Sequence, residues 1–312
     1  MISILGFILA SYAVIGNDVI QTLGTFLQSN NKQPWWKLFL FIGGILTVVL
    51  LLGWYVNSGD VTFGRLDQIT RPQQMSLWYL VPPLLLIVIT RYGIPVSTTF
   101  LILSIFSSDI VLEYMILKSI FGYFLAFIST FIIYQFFLHR FEHSNVENSE
   151  KNNRLWITLQ WFSTAYLWIQ WLIQDFANIY VFLPPQLDFS AMILSLIGML
   201  IILAFIIRTK GGAIQKVVSS KSNSSNTRSA TFIDFIYGSV LLFFSTFNNV
   251  PMSTTWAFIG VLAGREVALR STVYKGTSKA GWKLIGVDFL KATFGIIISI
   301  AVVLLLKELK LI

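Results

Sequence analysis

The heptapeptide Gly93-Ile94-Pro95-Val96-Ser97-Thr98-Thr99 returns 156 residues later as Asn249-Val250-Pro251-Met252-Ser253-Thr254-Thr255. Each copy interrupts an apolar stretch, dividing it into 77–91 and 94–107 in one case and 231–247 and 251–264 in the other. A helix needs roughly 20 apolar residues to cross a bilayer, so these four segments are too short for ordinary spans. Non-helical backbone at that depth is tolerated only where it is buried in protein or lines a cavity. The pattern predicts two re-entrant helical hairpins, each turning at a proline.

Working outward from the hairpins, further matches keep the same order. Asp18 and Asp175 are 157 residues apart, and Leu117-Lys118-Ser119-Ile120-Phe121-Gly122 matches Leu290-Lys291-Ala292-Thr293-Phe294-Gly295 at 173. The larger offset fits a longer basic stretch at 265–283. Three ordered matches predict an internal duplication, with one half at 1–138, a polar linker at 139–154 and a second half at 155–312.

Composition gives the solvent. Only 12% of the 312 residues are charged and 55% are hydrophobic, with mean hydropathy +0.74. A soluble surface calls for about a quarter charged, so the outer surface is expected to face lipid. Further apolar segments at 2–28, 36–56, 111–138, 155–182, 187–207 and 284–306 read as spans, the first retained as a helix. The expected class is an all-α membrane protein. With no cysteine, disulfides and thiolate metal sites are excluded.

Charge predicts orientation. If each hairpin returns to the side it entered from, segments 29–37, 139–154, 208–230 and 265–283 share one side and carry 2, 3, 5 and 5 Lys and Arg residues. The opposite side, chiefly 57–76 and the C-terminal tail, carries 2 and 2. Basic loops face the cytoplasm, which puts both termini outside and the two halves in opposite senses. The net charge of +8 is then a consequence of topology, and no nucleic-acid partner is expected. Segment 208–230 reads as a solvated loop, with anionic lipid as its alternative contact.

Two groups of residues are candidates for chemistry. Asn17 and Asp18, followed by Gln21, Thr22 and Thr25, lie in the middle of the first span, and Gln174, Asp175 and Asn178 hold the matching place. A carboxylate at that depth costs several kcal/mol unless paired, hydrated or bound to a cation. Carboxylate and amide oxygens suit a hard cation such as Na⁺, and protonation is the alternative use. The second group is Ser97, Thr98 and Thr99 with Ser253, Thr254 and Thr255. Each triplet opens a helix, whose free N–H groups and dipole favour an anion; simple N-capping is the bland alternative. Lys118 and Lys291 are expected to reach the headgroups. Arg91 could pair with an acid or face a vestibule. His139 and His143 form no metal site, and the tryptophans at 156, 161, 168 and 171 suggest anchoring and packing.

Taken with Gly16-Asn17-Asp18-Val19, the hairpin motif resembles the PiT family of inorganic phosphate transporters. That family has a GANDVANA-like motif and a PVSTTH-like hairpin in each inverted half. Here Gln21 replaces the second Asn of the first half, Gln174 the first Asn of the second half, and Phe100 and Trp256 the closing His. The resemblance implies an inverted-repeat transporter, cation-coupled uptake of inorganic phosphate with Na⁺ or H⁺, and a homodimer. Ser97, Thr98, Thr99, Ser253, Thr254 and Thr255 would hold the anion, and Asn17, Asp18, Asp175 and Asn178 the cation. No cofactor and no enzymatic activity are expected: neither an HExxH motif nor a GxSxG elbow occurs. A sulfate permease of the same fold, a channel and a non-transporting oxyanion sensor are the rivals.

Overall fold

The computed structural model describes residues 1–92, 96–138, 150–210, 227–272 and 278–309. The described residues form helices and turns without strands. The helices are α1 (Ile2–Ser29), α2 (Trp35–Val56), α3 (Leu77–Arg91), α4 (Asp109–Phe137), α5 (Glu150–Tyr180), α6 (Phe189–Arg208), α7 (Thr227–Phe247), α8 (Thr254–Thr272) and α9 (Ser278–Glu308). Among the described residues, α1, α2, α4, α6 and α7 are long and apolar enough to cross a bilayer.

Burial runs opposite to that of a soluble protein. Leu40, Val48, Leu52, Tyr55, Leu194 and Ile201 point outward, while Asn17, Asp18, Thr25, Gln174, Asp175 and Asp234 are enclosed. Lipid replaces water as the partner of the apolar face, so only internal hydrogen bonds can satisfy the buried polar groups. The chain is an all-α membrane protein.

Two helix pairs form the frame that positions the polar centre: α4 along α8, and α5 along α7. The first pair depends on Gly260 and Gly264, four residues apart on one face. A Cβ on Gly264 would lie 2.3 Å from the Phe127 carbonyl oxygen, and one on Gly260 would lie 2.5 Å from that of Tyr123. Small residues let membrane helices approach backbone to backbone. Near the other seam, Trp168 and Trp171 stack at 5.0 Å, both fully buried, and Trp168 Nε1 donates to the Ile42 carbonyl at 3.0 Å. These two rings therefore serve packing and not interfacial anchoring.

The helix breaks differ from the expected pattern in two respects. The first arm of the second pair extends to 227–247 and has the length of a full span. Its added turn is accommodated because Arg228 and Ser229 are buried, Arg228 over the Trp156 ring at 5.3 Å. Conversely, the segment after Val96 does not continue as a helix to residue 107. It makes one π turn, Thr99–Leu103, and then unwinds. Ser104 donates to the Phe100 carbonyl and Ser107 to that of Leu103 at 2.7 Å. Hydroxyls bonded back to the preceding turn compete with helix propagation, and Ser108 then caps α4 by accepting from Val111 N. Residues 93–95, including Pro95, lie outside the described residues, as do His139 and His143.

Replacing Gly264 with Val should destabilise the protein by at least about 1–3 kcal/mol, the usual cost of overpacking. Gly198→Ala, where a Cβ meets nothing within 4 Å, should leave stability unchanged. Thermal unfolding in detergent checks the contrast; equal melting temperatures would contradict the close α4–α8 contact.

Candidate functional site

Residues 17 and 18 would ordinarily point about 100° apart around a helix. In α1 they sit in a π turn, Ile15–Val19, whose wider winding brings neighbouring side chains toward one face. Asn17 Nδ2 donates to the Val96 carbonyl at 2.8 Å and to Asp18 Oδ1 at 2.7 Å, and Asp18 Oδ2 accepts from the Thr98 hydroxyl. Helix α5 has no such turn. There Asp175 Oδ2 accepts from Thr254 at 2.5 Å, but Gln174 points away and donates to the Leu241 carbonyl on α7 at 3.2 Å. Each carboxylate is thus gripped by the second residue of a Ser-Thr-Thr triplet, while the amides beside them have diverged.

The two triplets cross over. Thr99 donates to the Met252 carbonyl at 3.2 Å, and Thr255 approaches the Val96 carbonyl at 3.5 Å and Asp18 Oδ1 at 3.4 Å. Met252 and Val96 occupy the same place before their triplets, so the two contacts are counterparts. Asn178 Nδ2 lies 3.1 Å from Thr98, 3.2 Å from Thr99 and 3.0 Å from Asp175 Oδ1. One continuous path runs Asp18–Thr98–Asn178–Asp175. Gln21, the counterpart of Asn178, reaches only Asn17 at 3.1 Å and Asp18 at 3.5 Å, within its own helix.

All ten candidate residues are buried, and the structure brings them to one place. Their roles are not alike. Ser97 and Ser253 accept from Phe100 N and Trp256 N, each at 3.3 Å, as N-caps. Thr98, Thr254, Asp18 and Asp175 form the direct hydroxyl–carboxylate contacts. Phe100 and Trp256 follow the two triplets and are buried. The two helix starts are also unequal, since Thr254 opens a 19-residue helix and Thr99 a five-residue turn. An anion would feel a developed helix dipole only at the second.

For a cation the donor set is oxygen. Gln21 Oε1, Gln174 Oε1 and Asn178 Oδ1 are buried without a hydrogen-bond partner, beside or near the two carboxylates. No group of three His, Cys, Asp or Glu side chains able to hold a metal occurs among the described residues. Oxygens of this kind are hard-cation ligands by type.

Two cations brace the second break. Lys118 does not extend to the headgroups. It is buried, and its Nζ donates to Asn248 Oδ1 at 2.7 Å, to the Asn248 carbonyl at 3.1 Å and to the Val250 carbonyl at 2.6 Å. The correction has a physical basis: the carbonyls left free where α7 ends need donors, and a lysine can satisfy three. Arg65, from the 57–76 connector, donates to the Asn248 and Ser245 carbonyls at 2.6 and 3.0 Å. Burial lowers its pKa to about 10, so it stays charged at neutral pH. Nothing in the sequence around Arg65 marked it, because its partners are main-chain carbonyls 180 and 183 residues away. Arg91 is exposed at the end of α3. The side chain of Lys291 lies outside the described set.

Superposition on known proteins gives a structural relative covering 98% of both chains, titled "The sodium-dependent phosphate transporter", with TM-score 0.63 and 15% identity. The chain shares the fold of a sodium-dependent phosphate transporter. No protein-family model matches the sequence, and a search of curated proteins finds no match. The likeness is one of fold.

Because Asn178 links the first triplet to Asp175 and Gln21 stays within its own helix, truncating them should have unequal effects. Asn178→Ala strands buried acceptors and should cost about 2 kcal/mol, whereas Gln21→Ala should cost under about 1. Unfolding of the two variants in one detergent tests this; an equal or reversed order would contradict the bridging geometry.

Proposed function

We propose that the chain is a secondary transporter of inorganic phosphate, driven by Na⁺ or H⁺ across the cytoplasmic membrane. The observation that carries this reading is that Thr98 and Thr254 each donate to a buried carboxylate, Asp18 and Asp175. A hydroxyl has one proton to donate. While the carboxylates are charged and unpaired they hold the threonines. A cation at Asp18 and Asp175, assisted by oxygens of Asn17 and Asn178, satisfies the carboxylates and frees both hydroxyls. Ser97, Thr98 and Thr99, with Ser253, Thr254 and Thr255, then offer hydroxyl and main-chain N–H donors to a tetrahedral oxyanion. Cation occupancy becomes a condition for anion binding, as coupled uptake requires.

Phosphate is favoured as substrate by the likeness in fold to a sodium-dependent phosphate transporter and by the hairpin motif. In this reading the two halves are inverted repeats, 1–138 and 155–312, joined by 139–154. The Pro-x-Ser-Thr-Thr repeats mark the tips of re-entrant hairpins, the basic loops face the cytoplasm and both termini lie outside. Alternating access moves the hairpin-bearing core against the remaining helices. The ion pair of Lys307 with Asp109 at 3.0 Å fits this arrangement, since it joins the outer ends of α9 and α4.

Uptake of labelled phosphate into proteoliposomes tests the proposal, with Na⁺ or pH gradients as drive and sulfate as competitor. The reading predicts concentrative uptake that collapses with the gradient. Asp18→Asn and Asp175→Asn should each reduce it at least about tenfold, the effect of losing roughly 1.4 kcal/mol of coupling. Gradient-independent downhill flux, or displacement by sulfate but not by phosphate, would overturn it.

A further inference from the structure

Outside the candidate site, one buried carboxylate has no role so far. Asp234 lies on α7, only 1% exposed. Its Oδ1 accepts from Thr25 of α1 at 2.7 Å and its Oδ2 from Thr164 of α5 at 2.5 Å. Both threonines are fully buried. The first half has no equivalent: the repeat offsets of 156 and 157 place Trp78 and Leu77 there.

Asp234 stands among largely buried polar groups on either side along α7. One helical turn toward the site, Tyr237 donates to the Thr254 carbonyl at 3.0 Å, and the Thr254 hydroxyl holds Asp175. In the other direction the Ser29 hydroxyl donates to the Thr25 carbonyl at 3.0 Å, Gln160 Nε2 bonds to Ser29, and Asn30 donates to Gln160 Oε1 at 3.1 Å. The next residue, Asn31, is exposed. Hydrogen bonds thus run from Asp234 through Thr25 to the end of α1.

No cation neutralises this carboxylate among the contacts described. Titratable groups on the neighbouring helices are committed elsewhere: Asp18 to Thr98, Asp175 to Thr254 and Asn178, Tyr166 to Ser239, and Tyr237 to the Thr254 carbonyl. Arg228 lies over Trp156, Arg265 over Tyr134, Arg270 pairs with Glu266, and Lys118 holds residues 248 and 250. An unneutralised carboxylate in a bilayer interior costs several kcal/mol. A hard metal cation would need several oxygens around it, yet both carboxylate oxygens already contact a hydroxyl directly. A proton requires no such shell.

We propose that Asp234 is a proton-binding station, distinct from the Asp18–Asp175 centre, reached by water from the end of α1, the side marked by Thr25, Ser29, Gln160 and Asn30. The carboxylate takes up H⁺ from water on that side to give the neutral acid and returns it by the reverse step. This goes beyond phosphate transport and needs only the membrane location of the chain.

Infrared difference spectroscopy of the purified protein, read at the C=O stretch of protonated carboxylic acids, tests it without transport. At neutral pH the wild type should show a band that Asp234→Asn removes and that replacing choline with Na⁺ does not. Thr164→Val keeps the acid but removes one hydrogen bond, so it should shift the band; this variant decides the matter if Asp234→Asn fails to fold. A spectrum unchanged by both substitutions, or a band at Asp234 abolished by Na⁺, would overturn the assignment. Phosphate uptake that fails while this band behaves as stated would count against the transport reading alone.

Discussion

A threonine hydroxyl can donate one hydrogen bond, and at the helix breaks Thr98 and Thr254 donate theirs to the buried carboxylates of Asp18 and Asp175. The rest of the architecture follows from that constraint. Carboxylates at this depth are tolerable only with donors aimed at them, and the donors come from helix starts exposed by breaks within the apolar core. The breaks need carbonyl and amide partners of their own, supplied by Lys118, Arg65 and Ser119, the last accepting from Ser253 N at 2.8 Å. The close α4–α8 contact through Gly260 and Gly264 holds the second break against the first.

The two repeated sequence motifs share a plan but not a geometry. A π turn lets Asn17 and Asp18 act together on the first triplet, whereas the regular winding of α5 sends Gln174 to α7 and leaves Asp175 to act alone. Asn178 compensates by crossing to the opposite triplet, where Gln21 stays on its own helix. The substitutions are reciprocal, with one amide of each half lengthened at alternate positions. A glutamine is one methylene longer than asparagine, enough to decide which neighbour it reaches. Asp234 adds to the asymmetry, because only the second half contributes a carboxylate at that place.

Much of this was legible in the sequence. The repeated Pro-x-Ser-Thr-Thr and the mirrored aspartates are local patterns with a physical meaning, and they located all ten buried candidate residues. Element boundaries were harder, since the unwinding after Leu103 depends on serines bonding to the preceding turn. Lys118 departs from expectation because a lysine near a span end is usually free to reach water; here the carbonyls of Asn248 and Val250 hold it. Arg65 and Asp234 left no signal, because their partners are main-chain carbonyls or hydroxyls far along the chain. Neither residue belongs to a repeat.

The central claim is that one proton on each threonine cannot serve carboxylate and anion together, so cation and anion binding are linked. Linkage is reciprocal at equilibrium. The direct measurement is binding of labelled phosphate at rising Na⁺ or H⁺, together with binding of that cation at rising phosphate, on purified protein. The account predicts that each ligand raises the affinity of the other by the same factor, at least about tenfold, and that Thr98→Val with Thr254→Val removes the linkage. Independent binding of the two ligands in the wild type would contradict it.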